Sequence, residues 1–450
     1  MIRNLQFRSP FARFSLLTLA SMLILLIGGG LIRQSGAANA CGGWPLCGDG
    51  LGLPVDRLEW MQVAHRLTVG LVGVVMVVLL RSAWRSQRTQ TPILVSTTAT
   101  AALFLLQAML GALKVTREFP FYLIALHAAT AAAVWMALLL QVYFVGRAAR
   151  SGEAERLEAA EAVQRVDVGR DFLALTKPIV VALLLVTTYA GMVIGAKAWP
   201  SAALTFWVLL GGFLAAGGSG AINQYIDRYD DIKMQRTQKR PLPSGRLTPG
   251  EGLAFGVVMT LTSFYLLAAF VNLLAALLSL AGIIYYVFIY SIWLKKATVQ
   301  NIVIGGGAGA IPPLVGWAAA TGSLNIPALF LFAVVFMWTP PHFWALAIVR
   351  SKDYARAGLP MLPVVRGEKE TRTKIFIYTV ELVVLTMFLP LFGLGGSIYL
   401  VLAGLLGIWL LTSAWKVWKQ GGNKLAWKMY RHSSMYLAFL FIALMVDALG

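Results

Sequence analysis

Apolar and polar positions along this chain are arranged in long blocks. Apolar runs of about 20 residues, the length that spans a bilayer, recur from one end to the other. None shows the period-two alternation of a half-buried strand, and a helix satisfies all its backbone hydrogen bonds internally. The pattern predicts an all-α polytopic membrane protein with about thirteen transmembrane helices. The apolar stretches lie near residues 11–33, 58–80, 93–113, 121–145, 175–197, 201–222, 251–270, 272–291, 299–320, 327–348, 373–392, 396–415 and 433–449.

The first apolar run has some features of a secretory signal. Arg3, Arg8 and Arg13 precede it, and the small residues of "GAANAC" follow it. Its apolar stretch is longer than a usual signal core, and its loss would leave an odd number of helices before the polar segment at 146–170. We therefore predict a retained first helix.

Charge adds a membrane orientation to this picture. The chain is 58% hydrophobic and 13% charged, with a net charge of +19. The positive-inside rule accounts for the excess of bases better than nucleic-acid binding does, so no nucleic-acid partner is expected. With the N-terminus on the cytoplasmic side of a cell membrane, most basic segments fall in cytoplasmic loops. Lys114 and Arg117 are the clearest exception. The cytoplasmic basic segments are Arg81 to Arg88, 146–170, 228–246, 295–296, 349–374 and 416–431.

Two cysteines, Cys41 and Cys47 in "CGGWPLC", fall in the first outer loop of this topology. An oxidising compartment allows a disulfide there, which is the pairing we predict. Two free or ligand-binding thiols are the alternative, although the spacing matches no common zinc pattern.

A polar segment divides the chain into two parts. Residues 146–170 are rich in Ala, Glu and Arg and follow four apolar runs, which is typical of a cytoplasmic linker. We predict a four-helix unit over 1–145 and a nine-helix unit over 171–450.

The most concentrated chemistry in the second unit lies in "NQYIDRYDDIKMQRTQKRPLPSG", residues 223–245. On a continuing helix, Asn223, Asp227 and Asp231 share one face because they are four residues apart. Their oxygens suit Mg²⁺, which typically binds through one or two carboxylates and substrate phosphates. The bases that follow are able to hold the same phosphates, and the alternative is a solvated basic loop. These bases are Lys233, Arg236, Lys239 and Arg240.

A second polar cluster follows a later helix on the same predicted face. In "RSKDYARAGLPMLP", residues 350–363, Lys352 and Asp353 are placed to close over the first cluster. His342 precedes Asp353 by about 16 Å on a continuous helix, beside two prolines. It is either a haem contact or a packed structural histidine.

The Asn-x-x-x-Asp-x-x-x-Asp run followed by "RTQKRPLPSG" resembles the intramembrane polyprenyl transferase superfamily typified by 4-hydroxybenzoate polyprenyltransferase. The resemblance covers about 171–450, including the nine helices. Ala357 stands where the superfamily often has the last residue of a second Asp-x-x-x-Asp, which weakens a second metal cluster. Three further motifs look like the haem O synthase, or protohaem IX farnesyltransferase, branch: "KKATVQNIVIGGGAGAIPPLVGW" at 295–317, "WTPPHFWALAI" at 338–348 and "KDYARAGLPMLPVV" at 352–365.

This resemblance implies transfer of farnesyl from farnesyl diphosphate to a vinyl group of haem B, giving haem O. Mg²⁺ held by Asp227 and Asp231, with Asn223, makes the diphosphate a leaving group. Lys295 or Lys352 then caps the site. The side chains implied in catalysis are Asn223, Asp227, Asp231, Arg236, Lys239, Arg240 and Asp353, with Lys295, His342 and Lys352 binding substrate.

The first unit carries its own pair of histidines. His65 and His127 are predicted at similar depths, so they are able to ligate one haem iron from opposite faces, and two unrelated polar residues are the alternative. With the cysteine loop, "AHRLTVG" and "ALHAATA" resemble one four-helix half of haem A synthase, which usually has two halves. That resemblance implies a haem ligand here, and a second copy or a haem A synthase as partner. Gln62 replaces the glutamate of the substrate-holding half, and Glu59 is the nearest acid, which argues against oxidation.

Three alternatives to a single-activity transferase follow from these patterns. The first is a bifunctional enzyme that also oxidises haem O to haem A, the second is a transporter, and the third is a membrane cytochrome. A transporter needs ionisable residues near the midplane, whereas this chain concentrates them at one rim. A membrane cytochrome would leave the charged segment at 223–245 without a function.

The glycine clusters at 211–220 and 305–310 indicate close helix packing, since no strand precedes either one.

Overall fold

A computed structural model describes residues 9–47, 53–116, 120–151 and 167–450. Among these residues there is no strand, and 13 helices are long and apolar enough to span a membrane. The predicted helix count is confirmed. Residues 152–166 of the predicted linker, Arg3, Arg8 and Arg117 lie outside the described residues.

Two compact units make up the described chain. The first consists of the described part of 1–166 together with Leu247–Thr262, and the second of 167–246 with 263–450. The grouping of Leu247–Thr262 with the first unit has a visible cause in its contacts. The Thr248 hydroxyl donates to the Arg88 carbonyl at 3.0 Å, and the Arg88 guanidinium lies 3.7 Å from the Glu251 carboxylate.

The first unit is built on four consecutive antiparallel helices. Each helix packs on two others, so α1 contacts α2 and α4, and α3 contacts the same two. Gln141 donates to Ser15 at 2.9 Å between α4 and α1, and Trp84 donates to Thr98 at 3.0 Å between α2 and α3. Its helices are α1 (Pro10–Gln34), α2 (Arg57–Ser86), α3 (Thr91–Thr116) and α4 (Phe121–Ser151).

The second unit is a bundle in which α10 packs along α6 and α11, and α11 packs on α14 and α16. Short connections make its spanning helices alternate in direction, so helix ends gather at two faces. The face where α7 ends and α10 begins is called the site end below. From residue 167 onward the helices are α5 (Val168–Leu175), α6 (Pro178–Ala196), α7 (Ala202–Asp231), α8 (Pro249–Phe270), α9 (Leu273–Ala297), α10 (Asn301–Thr321), α11 (Ile326–Val349), α12 (Ser351–Arg356), α13 (Leu362–Val365), α14 (Gly367–Phe388), α15 (Ser397–Gln420) and α16 (Asn423–Leu449). Helix α8 belongs to the first unit up to Thr262 and to the second from Ser263.

Several helices are longer than their apolar stretches predict. Helix α7 continues past residue 222 to Asp231, and α16 begins at Asn423, ten residues before the predicted start at 433. Hydropathy marks only the part of a helix that faces lipid, and a helix does not end where polar residues begin. The extension of α7 confirms that Asn223, Asp227 and Asp231 lie on one continuous helix.

Glycines allow the closest helix contacts in the second unit, which confirms the packing interpretation of both glycine clusters. A Cβ on Gly211 would lie 2.6 Å from the Leu267 side chain, and one on Gly305 would collide with the Tyr290 ring. The tightest contact joins α10 to α6, where a Cβ on Gly316 would collide with the Thr188 backbone carbonyl. The Thr188 carbonyl belongs to the backbone of α6, so it is not able to move aside as the end of a flexible side chain would.

Gly316→Ala is expected to destabilise the second unit by about 1–3 kcal/mol, because the added methyl forces α6 and α10 apart. Gly309→Ala on the same helix is the matched control, since a Cβ there meets nothing within 4 Å. Thermal unfolding of both variants in detergent measures the difference. Equal unfolding temperatures for the two variants would contradict this packing argument.

Candidate active site

The C-terminal turns of α7 place three polar side chains in a buried position. Asn223, Asp227 and Asp231 are 3%, 2% and 1% exposed. Asn223 Nδ2 donates to Asp227 Oδ2 at 2.9 Å and to Ser291 Oγ at 3.0 Å. The predicted face therefore exists, and it points into the protein.

Cations from three other parts of the second unit meet these groups. Lys295, near the end of α9, donates to Asp227 Oδ2 at 2.5 Å, and Arg240 donates to Asp231 Oδ2 at 2.7 Å. Lys177 donates to Asn223 Oδ1 at 2.6 Å. Buried carboxylates next to fixed cations form an environment in which a polyanionic ligand is stabilised by the excess positive charge.

One carboxylate oxygen is left without a partner by this network. Asp227 Oδ2 accepts from both Lys295 and Asn223, whereas Asp227 Oδ1 is buried and has no hydrogen-bond partner. A buried carboxylate oxygen without a donor is costly unless it coordinates a ligand. No group of three His, Cys, Asp or Glu side chains suited to a metal occurs in the described ranges. The unpartnered Asp227 Oδ1 nevertheless fits a Mg²⁺ ion, which typically binds through one or two carboxylates and takes its other ligands from substrate phosphates and water.

The second polar cluster lies beside the segment after α7. Asp353 in α12 is buried and accepts from the Gln235 backbone N–H at 3.4 Å and from the Arg356 guanidinium. The structure therefore brings Asp353 to the segment that follows the first cluster. Lys352 is exposed, as are Arg236 and Lys239.

Lys177 is the main site residue that sequence reasoning missed. It stands in a left-handed conformation (φ 55°) immediately before Pro178, where α6 begins. Besides Asn223, its ammonium contacts the Tyr286 hydroxyl at 3.2 Å. Burial and then repulsion by Arg240 lower the pKa of Lys177 to about 7. The available signal was a lysine inside a predicted apolar run, directly before a proline.

A stretch of wider helical turns in α9 supplies the partners of Lys177 and Asn223. Residues Tyr285–Leu294 form π-helical turns, which are uncommon and often occur at functional sites. These turns carry Tyr286 and Ser291. Hydropathy shows no signal for such a local change, so the sequence analysis did not single out either residue.

His342 lies within α11 in an aromatic environment. It is 5% exposed, and its ring is stacked on Trp338 at 4.2 Å between ring centres and tilted against Tyr430 at 4.4 Å. Its Nδ1 is 2.8 Å from Ser433 Oγ, which itself donates to the Tyr430 carbonyl at 2.9 Å. Because the serine proton goes to that carbonyl, His342 Nδ1 donates and Nε2 keeps its lone pair.

In the first unit, the histidines lie next to glycines of neighbouring helices. A Cβ on Gly29 of α1 would be 3.5 Å from the His65 ring, and one on Gly111 of α3 would be 3.3 Å from the His127 ring. His127 Nε2 is 3.2 Å from Gln107, while its Nδ1 is buried without a partner. His127 Nδ1 is therefore a buried polar atom that the described residues leave unsatisfied.

The loop above these histidines is fixed by a disulfide and by Arg66. Cys41 and Cys47 are bonded, with their Cα atoms 4.4 Å apart. Arg66 donates to the Gly43 and Leu46 carbonyls at 2.8 Å each. Sequence reasoning missed Arg66, although its position next to His65 was visible.

Gln62 and Glu59 both make structural contacts. Gln62 donates to the Ala38 carbonyl at 2.8 Å, and the Glu59 carboxylate accepts from the Val55 backbone N–H at 2.7 Å. Gln62 therefore joins α2 to the loop after α1.

Comparison with known proteins places this chain in a family. The model of the UbiA prenyltransferase family matches residues 184–441. The protoheme IX farnesyltransferase of Roseiflexus castenholzii is 42% identical over 468 residues, covering 98% of this chain and 85% of that protein. The protoheme IX farnesyltransferase of Gloeobacter violaceus is 49% identical over 280 residues, covering 62% of this chain and 92% of that protein.

A solved structure shows the same fold. A digeranylgeranylglyceryl phosphate synthase superposes with a TM-score of 0.53 at 18% identity, covering 62% of this chain and 98% of that one. These relatives do not support the bifunctional or transporter alternatives, and the haem A synthase likeness of the first unit is not confirmed. The chain is a multi-pass membrane protein that belongs to the UbiA prenyltransferase family.

Proposed function

We propose that this protein transfers farnesyl from farnesyl diphosphate to a vinyl group of haem B and so makes haem O. The observation that carries the proposal is the buried cluster around Asp227, with one unpartnered carboxylate oxygen and cations on both sides. A relative named protoheme IX farnesyltransferase that aligns with 98% of the chain supports the choice of substrates.

The diphosphate of the prenyl substrate binds at the site end of α7. Asn223, Asp227 and Asp231 would hold Mg²⁺, which supplies charge neutralisation of the diphosphate when bound. Lys177 and Lys295 remain next to those groups and stabilise the added negative charge on the leaving pyrophosphate. The exposed bases Arg236 and Lys239, together with Lys352, attract the diphosphate before it enters.

Transfer begins when the carbon–oxygen bond of the diphosphate breaks and pyrophosphate leaves with the electron pair. The vinyl group attacks the allylic cation, forming a carbon–carbon bond and a new cation next to the porphyrin. Water adds to that cation and loses a proton, which gives the hydroxyl of haem O. Burial of Asn223, Asp227 and Asp231 keeps bulk water from the diphosphate end, so premature hydrolysis is slowed.

His342 positions haem B in this scheme. Its Nε2 lone pair is free to ligate the iron because Nδ1 donates to Ser433, and Trp338 and Tyr430 enclose the ring. We infer that the site end of the second unit faces the cytoplasm of a cell membrane, since basic residues gather there. An association with a second copy or with a haem A synthase stays a prediction.

Pyrophosphate release tests the proposed transfer directly. Purified protein with farnesyl diphosphate and Mg²⁺ is expected to release pyrophosphate only when haem B is added, because the vinyl group is the acceptor. Equal release without haem B would reveal simple hydrolysis and would count against the proposal. Omission of Mg²⁺ is expected to abolish release in either case.

We also propose that residues 1–145 form a separate haem-binding unit, joined to the transferase at 171–450 by a linker over 146–170. The unpartnered His127 Nδ1 and the glycines beside both histidines support this assignment. Two axial histidines give haem a six-coordinate, low-spin optical spectrum.

The full-length protein loaded with haem B is therefore expected to show that low-spin spectrum, and His65→Ala and His127→Ala are each expected to remove it. His432→Ala is the control, because that histidine contacts Ser413 and Trp409 in the second unit. A low-spin spectrum that persists in both histidine variants would overturn the assignment.

A further inference from the structure

The site-end segments of α15 and α16 carry aromatic and basic residues that the proposed reaction does not use. Four tryptophans and five cations occur between residues 409 and 431, and the short turn between the two helices brings them together. Such a mixture is typical of the boundary between a bilayer and water. These residues are Trp409, Trp415, Trp418, Trp427, Lys416, Lys419, Lys424, Lys428 and Arg431.

A polar cavity of about 240 Å³ opens between these two helices. Its wall includes two lysines, Lys416 of α15 and Lys428 of α16, one from each helix. Neither lysine forms an ion pair with an acidic side chain in the part of the chain that the structure describes. Two ammonium groups that converge on one cavity without a carboxylate favour an anion between them.

A hydroxyl and an imidazole complete the polar wall. Ser413 Oγ lies 2.7 Å from His432 Nδ1, and the Trp409 ring is 4.5 Å from the His432 ring. Both residues line the cavity and make its wall polar. Ser413 Oγ also donates to the Trp409 carbonyl at 3.1 Å, so the two ammonium groups are the donors that this cavity offers to phosphate oxygens.

An apolar groove adjoins the polar cavity along α15. Its volume is about 430 Å³, and Thr412 and Lys416 belong to both walls. The apolar wall is formed by side chains of α14 and α15 such as Phe376, Leu411 and Trp415. Trp415 is 48% exposed, so the groove is open from outside the bundle.

We propose that the cavity and the groove together bind one anionic phospholipid. The headgroup phosphate lies between Lys416 and Lys428, and an acyl chain lies along Phe376 and Trp415. The cavity and the groove are formed by helices long and apolar enough to span a bilayer. In a membrane, anionic phospholipid is the molecule with both a phosphate and an apolar chain that surrounds such helices at the highest concentration. The assignment uses neither the Asp227 cluster nor the proposed reaction.

Native mass spectrometry of the full-length protein in neutral detergent tests this site with phosphatidylglycerol and phosphatidylcholine of identical acyl chains. Preferential binding of phosphatidylglycerol is expected. Lys416→Gln combined with Lys428→Gln is expected to weaken that binding about 30-fold. The matched control combines Lys419→Gln with Lys424→Gln, which removes the same charge from residues outside both walls.

Three results would overturn the proposal. One is equal binding of the two lipids, and another is equal weakening in the control, which would indicate net charge alone. The third is displacement of phosphatidylglycerol by farnesyl diphosphate, which would make the site one for prenyl diphosphates. Lys416→Arg combined with Lys428→Arg keeps the charge, so restored lipid preference in that variant separates lost binding from lost folding.

Discussion

Asp227→Asn is expected to lower the rate of farnesyl transfer by about 10²- to 10³-fold. The substitution keeps the size of the side chain and its buried position between Asn223 and Lys295. It removes the negative charge that would hold Mg²⁺ and replaces one ligand oxygen with an amide nitrogen. Initial rates of pyrophosphate release at saturating haem B measure the loss.

Asp230→Asn is the matched control for this substitution. Asp230 occupies the same turns of α7, but its carboxylate contacts Lys296 at 2.6 Å and Lys233 at 3.6 Å. Removal of this charge leaves the contacts of Asp227 in place. A loss of rate in Asp230→Asn as large as that in Asp227→Asn would contradict a specific role for Asp227.

Lys177→Met is expected to lower the transfer rate by about 10²-fold, because it removes a cation beside the leaving pyrophosphate. The change also leaves Asn223 Oδ1 without its donor. Methionine keeps most of the side-chain volume, so the effect on packing is small. Steady-state kinetics with varied farnesyl diphosphate separate a loss of binding from a loss of turnover.

Lys197→Met controls for the unusual backbone at this position. Lys197 stands at the other end of α6 with φ 49°, close to the 55° of Lys177, and its side chain is exposed. Lys197→Met therefore shows the effect of replacing a lysine in the same left-handed backbone conformation, at the end of α6 away from Asp227 and Asp231. Equal activity of Lys177→Met and the unsubstituted protein would remove Lys177 from the site.

The helical architecture was predictable because hydropathy over a span of bilayer thickness depends on many residues at once. The face shared by Asn223, Asp227 and Asp231 was predictable for a similar reason, since a spacing of four fixes their direction on any helix. Lys295 was expected over the site, and it contacts Asp227.

The remaining site residues depend on tertiary contacts that no local pattern encodes. Lys177 reaches Asn223 only because the chain breaks at Pro178 and turns back toward α7. Tyr286 and Ser291 lie in π-helical turns, and hydropathy does not distinguish such turns from an ordinary α-helix. Arg236, Lys239 and Arg240 were all expected at the diphosphate by proximity in sequence. Of these three, Arg240 reaches the Asp231 carboxylate, whereas Arg236 and Lys239 are exposed.

Mass spectrometry of the haem product tests the central claim most directly. The full-length protein is incubated with haem B, farnesyl diphosphate and Mg²⁺, and the haems are extracted. The account predicts a product heavier than haem B by one farnesyl group and one hydroxyl group, absent when Asp227→Asn is used. Unmodified haem B from folded protein with both substrates bound would contradict the account, as would a product formed equally by Asp227→Asn.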